Sequence, residues 1–340
     1  MHKMKVYIIG ISGLLGSESA KLLHLDGHEI RGLSLDEIPS GLNLDSNIKI
    51  DIGNYLQMSE GELAKLFNGY DALIFASGLD ERVKIKPPAF ETFNKYNVDP
   101  LQKILKVAKN VGVKHTVILG SYFTYFNETR PQLKLAKYHP YIKSRELQKK
   151  VAFSFVSDDF NVAIVELPYI FGVQEGRKPV WTFLIEMIHK MGKTTYYPKG
   201  GSAMITARQA AEAIKGALLI NKGANTYPIS YYNLTWKEML TIMHKAIGEP
   251  KRKIIVVPKF IYKWVMHHIY KKDLKRGFEG GLNLGKFSDM HCSNQFINND
   301  TALYLGVTPD DISQAIYNSA RLSHEILIDN KKVVEMKIIE

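Results

Sequence analysis

The sequence predicts an α/β fold, a doubly wound parallel Rossmann-type sheet with a smaller C-terminal substrate lobe. Three observations carry this. Short β-branched runs alternate with longer helical patterns through the first half, the first run opens directly onto a glycine-rich turn, and after Pro168 the rhythm gives way to aromatic, Gly- and Pro-containing stretches. Alternating strands and crossover helices build a parallel sheet covered on both faces.

In chain order the strands are Lys5 to Ile9, Glu29 to Leu33, Ile48 to Asp51, Ala72 to Ala76, His115 to Leu119 and Val162 to Glu166. Helical patterns lie between them at Leu14 to Leu25, Glu60 to Phe67, Pro100 to Val111 and Tyr141 to Phe155. Beyond Pro168 the helices are placed at Pro179 to Met191, Ala207 to Ile220 and Trp236 to Ile247, and Asn225 to Ser230 reads as a strand returning to the main sheet. This divides the chain into a dinucleotide-binding domain over 1–172, with returning segments near 203–231. A substrate-binding lobe spans 173–202 and 232–328, and a charged peripheral tail spans 329–340.

Composition narrows the function classes. With 45% hydrophobic and 23% charged residues, the chain can bury a large core. Its apolar runs fall far short of the roughly 20 residues a membrane span needs, and the N-terminus enters a strand with no signal-peptide pattern, so a cytoplasmic location is expected. The single cysteine, Cys292, has no partner for a disulfide and no neighbours at metal-ligand spacing, so no metal is expected. The net charge of +11 is concentrated, because Lys251 to Arg276 holds nine Lys or Arg and one Asp, a net of +8. So local a charge suits a solvated face, an anionic substrate or a membrane surface rather than nucleic acid. Within it Phe260, Ile261, Trp264, Val265 and Ile269 recur at helical spacing, which reads as a core-facing stripe; peripheral membrane contact is the less favoured reading. His267 and His268 are adjacent and do not share a helix face.

The glycine-rich turn runs Gly10, Ile11, Ser12, Gly13, Leu14, Leu15, Gly16. Gly10 permits a tight turn, Gly13 lets the backbone approach a pyrophosphate, Gly16 lets helix and strand touch, and the helix N-terminus supplies free N–H donors. The turn residues Ser12, Leu14 and Leu15 therefore join the three glycines as candidate cofactor contacts. At the end of the second strand, Ser34 occupies the position that selects between cofactors, with Asp36 two residues on and Arg31 inside the strand. NAD and NADP both remain open.

Motif order now resembles a family. The Gly10 turn, Asp51, Phe75-Ala76-Ser77-Gly78, Asn97, Ser121, the Tyr141 to Arg145 segment and Pro168 follow the order of the extended short-chain dehydrogenases/reductases, which include the NAD-dependent epimerases and dehydratases. The likeness covers most of the chain. It implies that Asp51 and Ile52 lie near the adenine, Ala76, Ser77 and Gly78 near the ribose and diphosphate, and Pro168 and Ile170 near the nicotinamide, with Asn97 also in the cofactor set.

The family's reaction centre pairs a Tyr with a Lys four residues on, plus a Ser or Thr from the fifth strand. Four residues make just over one helical turn, so both side chains share a face, and the cation favours phenolate. Here the only fitting segment is Tyr141, Ile142, Lys143, Ser144, Arg145, with Arg145 in the Lys position. Its charge still favours phenolate, though the rigid fork meets ribose hydroxyls differently; Lys143, two residues away, points off the face. In the fifth-strand segment, Thr124 aligns with a substrate-contacting Thr. That puts Tyr122 where the catalytic Ser usually stands and Ser121 one residue early, so either is a candidate to polarise the substrate. Arg177 and Arg208 are candidate anion contacts for the substrate. The resemblance also makes Pro100 to Val111 and Tyr141 to Phe155 the helices to inspect for a homodimer.

The expectation is an NAD(P)-dependent oxidoreductase, epimerase or dehydratase acting on a hydroxyl or carbonyl of a small, anionic substrate such as a sugar nucleotide. The alternative is a non-catalytic NAD(P)-binding sensor or regulator with a degenerate reaction centre.

Overall fold

A computed structural model describes residues 3–35 and 38–335. Seven strands form the central sheet in the spatial order Ala224–Pro228, Asn161–Leu167, His115–Ser121, Ala72–Phe75, Lys5–Ile9, Glu29–Ser34, Lys49–Ile52, and every neighbouring pair is parallel. The winding reverses between strand Lys5–Ile9 and strand Ala72–Phe75. That opens a crevice at their carboxyl ends, the place where open α/β sheets take ligands.

Alternation along each strand builds two cores. Val6 and Ile8 face one side, with Ile74, Val117 and Val165, and are covered by helices Leu14–Leu25 and Ala207–Ile220. Tyr7 and Ile9 face the other, with Phe75, Ile118 and Ile164, beneath helices Glu60–Phe67 and Asp99–Asn110. Both faces are dry, which explains why these strands read as continuous apolar runs.

Helices Leu14–Leu25, Glu60–Phe67 and Ala207–Ile220 lie where the sequence places them. The last strand, Ala224–Pro228, does return to the main sheet, in register with Val162 to Glu166. The segment before it divides differently from expectation. Gly201–Thr206 belongs to a separate small sheet, pairing with Tyr169–Phe171, Tyr232–Thr235 and Asn294–Gln295. Helices Ala89–Asn97 and Tyr122–Thr129 escaped the sequence reading. The second of these starts with no connecting loop, because Ser121 ends a strand and caps the helix at once, accepting from the Phe123 N–H.

The lobe has its own aromatic core of Phe171, Trp181, Tyr197 and Trp236, closed by helices Thr182–Lys190, Trp236–Ala246 and Ile312–Asp329. Phe171 stacks on Trp181 with ring centroids 4.5 Å apart. The described part of the tail runs along the lobe surface. Val334 accepts from the Lys178 N–H and donates to the Gly176 carbonyl, so the described part of the tail is stitched onto segment 176–178. The stripe at Phe260 to Ile269 is not core-facing, since helix Lys259–Lys275 has no buried residue. No helix among the described residues is long and apolar enough to cross a membrane.

One buried carboxyl joins the fifth and sixth strands. Glu166 is 1% exposed, and Thr124 Oγ1 lies 2.5 Å from its Oε1 and 2.7 Å from the Ser121 carbonyl. The Thr124 hydroxyl thus stands between two acceptors, the Glu166 carboxyl and the Ser121 carbonyl. Burial pushes its pKa up to about 7, against the lowering effects of the Thr124 hydrogen bond and the Lys149 ammonium. A folded-state pKa above the unfolded value stabilises below the unfolded pKa and loses that contribution as pH rises through the folded one. Glu166→Gln should therefore be more stable than wild type above pH ~7, by on the order of 1–3 kcal/mol, and nearly equal to it at pH ~4. Urea unfolding of both proteins across this range checks it, and parallel stability curves would refute it.

Candidate active site

The glycine turn is built by backbone contact. Gly10 has φ +86° and donates its N–H to the Leu33 carbonyl at 2.8 Å, and a Cβ on it would lie 2.6 Å from the Ala76 oxygen. A Cβ on Gly16 would lie 2.2 Å from the Gly10 oxygen, so helix and strand touch where only glycine fits. Gly13 is the N-cap of helix Leu14–Leu25 and gives it no side-chain cap, and the first turn holds no acid. The leading N–H groups, those of Leu14 and Leu15 among them, are thus left for an anion, and the residues present fit a dinucleotide's diphosphate.

Around this cradle the remaining cofactor candidates fall into two groups. Ala76, Ser77 and Gly78 form the floor after the fourth strand, where Ser77 Oγ meets the Tyr55 hydroxyl at 2.9 Å and Gly78 has φ +141°. Pro168 and Ile170 follow the sixth strand, and Ile170 offers its carbonyl to Trp181 Nε1 at 2.8 Å. Ile52 is exposed at the end of the third strand. The others already have protein partners. Ser34 is buried with its hydroxyl 2.6 Å from that of Ser12, tying the turn to the second strand. Asp51 accepts from Arg31 Nε at 2.8 Å and from the Tyr7 hydroxyl at 2.9 Å, so Arg31 is committed within the sheet. Asn97 is fully buried and clamps the loop after the fourth strand, accepting from the Leu79 N–H at 2.8 Å and donating to its carbonyl at 3.2 Å. Asp36 lies outside the described residues.

The candidate reaction-centre residues Tyr141 and Arg145 sit in the first two turns of the helix Pro140–Phe153. Tyr141 is 4% exposed, its ring edge-on to Phe93 and Phe123, with the Arg145 guanidinium carbon 5.1 Å from the ring centroid, and both Ser121 and Arg145 lower its pKa. Arg145 is buried too. Its Nη1 donates to Gln148 Oε1 at 2.9 Å and to the Leu119 carbonyl at 3.4 Å, and its Nη2 to the Leu79 carbonyl at 3.4 Å. Gln148 in turn donates to the Asn97 carbonyl at 2.7 Å. The guanidinium therefore bridges the ends of the fourth and fifth strands while touching the phenol. Burial raises the Tyr141 pKa, Arg145 pulls it down, and Glu81 pushes it up.

Glu81 was not foreseen. Its carbonyl accepts from the Gly281 N–H at 3.0 Å, and a Cβ on Gly281 would lie 2.7 Å from Tyr141 Cβ, so this loop packs directly against the reacting helix. Burial pushes the Glu81 carboxyl up, and Arg82 draws it down. The Gly280-Gly281 pair was the available signal, since adjacent glycines often mark a close backbone approach.

Other candidates lie elsewhere. Tyr122 points into the lobe, with its hydroxyl 3.0 Å from Ser202 Oγ and 2.9 Å from Gln295 Oε1, so it clamps the small sheet to the main one. Ser121 takes the place beside the phenol. Thr124 is spent on Glu166 and Ser121. Arg208 holds the approach to the last helix, bonding Asp310, Thr308 and the Pro309 carbonyl. Arg177 lies over the glycine turn, where it and Gln174 both donate to the Ser12 carbonyl, at 3.1 and 2.9 Å. Lys143 lies over the Phe90 ring, 4.0 Å from its centroid and off the site, as its spacing predicts. Among the described residues no group of three His, Cys, Asp or Glu is arranged to hold a metal.

Solved structures share this architecture. A Bordetella bronchiseptica enzyme, WbmH, crystallised with NAD+, is 15% identical with TM-score 0.66, covering 96% of this chain and 100% of its own. PA4631, a nucleoside-diphosphate-sugar epimerase from Pseudomonas aeruginosa, is 14% identical with TM-score 0.66, covering 98% and 100%. A UDP-N-acetylglucosamine 4-epimerase from Methanobrevibacter ruminantium, in complex with UDP-N-acetylmuramic acid, is 15% identical with TM-score 0.64, covering 97% and 100%. No curated protein matches the sequence significantly. The family model does match, over residues 6–219 and so over more than half of the chain, and this protein belongs to the NAD dependent epimerase/dehydratase family.

Proposed function

We propose that this protein is a nicotinamide-dependent oxidoreductase, epimerase or dehydratase acting on a hydroxyl or carbonyl of a sugar nucleotide, with Tyr141 as its acid/base. The supporting observation is a buried Tyr141 against whose ring the Arg145 guanidinium packs, 5.1 Å from the centroid, with Ser121 and Arg145 both favouring its ionised form near the carboxyl end of the fifth strand. The sugar nucleotides and epimerase activities named for structural neighbours support the substrate class. NAD is the preferred cofactor: Arg31, the cation within the second strand, is engaged by Asp51 and unavailable to a 2′-phosphate.

When bound, the nicotinamide supplies the hydride acceptor or donor. The chain's own residues manage the proton. Ser121 orients a substrate oxygen toward Tyr141, whose phenol takes the hydroxyl proton in oxidation and returns it in reduction. Arg145 lowers the cost of the phenolate and, staying protonated throughout, relays no proton. Leu79, Leu119 and Gln148 fix its fork from behind. Burial behind the aromatic wall of Phe93 and Phe123 keeps water from the phenol, which strengthens the cation's influence.

Three outcomes follow. Gly13→Val fills the space a diphosphate needs and should abolish NAD binding in calorimetry while leaving the fold intact by circular dichroism; unchanged affinity would remove the turn from the site. Tyr141→Phe keeps the ring packing and removes the proton carrier, so turnover of sugar nucleotides should fall by roughly 10²- to 10⁴-fold with NAD affinity retained. Equal turnover by both proteins would exclude Tyr141, and no turnover of any substrate by wild type would favour a cofactor sensor. Without its cation the phenol ionises at higher pH, so Arg145→Gln should shift the pH profile of kcat upward, and Arg145→Lys should shift it less. Profiles that superimpose would show that Arg145 does not tune Tyr141.

A further inference from the structure

We propose that the exposed face of helix Lys259–Lys275, with the strand Lys253–Val257 before it, docks this protein on an anionic lipid bilayer. No residue of the helix is buried, yet Phe260 is 75% and Trp264 63% exposed, and Ile255 and Val256 project just upstream. Isolated exposed apolar residues are ordinary, but two large aromatics one turn apart on one helix face form a patch.

Spacing then brings charge to the same side. Phe260, Trp264, Lys271 and Lys275 fall at i, i+4, i+11 and i+15, one stripe along the helix that begins aromatic and ends cationic. Two of the helix's other cations are spent locally, as Lys259 and Lys263 both pair with Asp289 on the neighbouring helix Leu284–His291. Lys271, Lys272 and Lys275 make no ion pair among the described residues. The face thus combines an aromatic end, suited to the boundary between headgroups and acyl chains, with lysines long enough to reach phosphate groups around it.

Charge selects the occupant. The segment 251–276 carries a net of +8, so two copies meeting through this face would set like charges together without an acidic counterpart. An anionic bilayer offers both the apolar boundary and the negative surface, and each lysine near it strengthens binding about fivefold. Docking there also brings the reaction centre close to the membrane. Helix Leu284–His291, packed on the docking helix, presents Phe287 to Phe123, and Phe123 meets the Tyr141 ring.

The test uses the full chain and vesicles of phosphatidylcholine alone or mixed with phosphatidylserine. Sedimentation should show binding to the mixed vesicles at low salt, release at high salt, and little binding to phosphatidylcholine. Trp181 and Trp236 are only 5% and 1% exposed, so a blue shift of tryptophan emission on binding reports Trp264. Lys271→Glu with Lys275→Glu should weaken binding at least roughly 25-fold, and Phe260→Ser with Trp264→Ser should abolish the blue shift; all four residues are exposed and away from the cofactor cradle, so NAD affinity should not change. The proposal is overturned if wild type binds both vesicle types equally or neither, or if the charge reversals bind as wild type does. It is equally overturned if the aromatic variant turns a dimer into a monomer, which would make this an interface between copies, or if soluble polyglutamate binds while mixed vesicles give no blue shift, which would indicate an acidic protein partner.

Discussion

The site depends on one close contact, the backbone approach between Gly16 of the first helix and Gly10 at the end of the first strand. A single methyl group there would stand 2.2 Å from a carbonyl oxygen. That contact sets the helix axis against the sheet and leaves its first N–H groups facing the crevice where the winding reverses. The crevice exists because all seven strands run the same way, so their carboxyl ends gather Gly10, Ala76, Ser121 and Pro168 along one edge. Ser12 and Ser34 then fix the turn sideways, and Gln174 and Arg177 hold it from above.

Arg145 is buried beside Tyr141, and its surroundings suit a guanidinium. A guanidinium presents several donors in one plane, and the carbonyls of Leu119 and Leu79 with the Gln148 amide take those of its two terminal nitrogens. An ammonium is a compact point charge and has no comparable fork with which to span the two strand ends. The arginine therefore acts as a strut between the fourth and fifth strands as well as a cation beside the phenol. Asn97 extends the network by locking the Leu79 loop and accepting from Gln148, so the cofactor floor and the reacting helix are mechanically continuous.

The lobe reaches the site through aromatic and polar clamps. Tyr122 reaches from the fifth strand's end into the small sheet, which turns a residue beside the catalytic position into a joint between the two parts. Gly281 packs against Tyr141 and donates its N–H to the Glu81 carbonyl, tying the loop after the fourth strand to the same place. Segment 174–178, which lies on the glycine turn, is in turn held by Val334 near the chain's end. Cofactor cradle, reaction centre and lobe thus share supports drawn from distant parts of the chain.

Sequence alone determined the parallel sheet, the glycine turn and the Tyr141–Arg145 pairing, because each rests on local rules: apolar alternation, backbone freedom at glycine, and the spacing of one helical turn. Helix Leu14–Leu25 was legible to the residue for that reason. Only the tertiary structure decided which polar groups are already satisfied. Asp51, Asn97, Thr124 and Arg208 look chemically available in one dimension, yet each meets a partner brought from elsewhere, at separations of 20, 18, 42 and 102 residues. Tyr122 is likewise taken up by Ser202 and Gln295, which lie beyond any local pattern. The stripe on helix Lys259–Lys275 gives the same lesson in reverse: helical spacing makes a face apolar, but only the packing of other elements decides whether anything covers it, and here nothing among the described residues buries it.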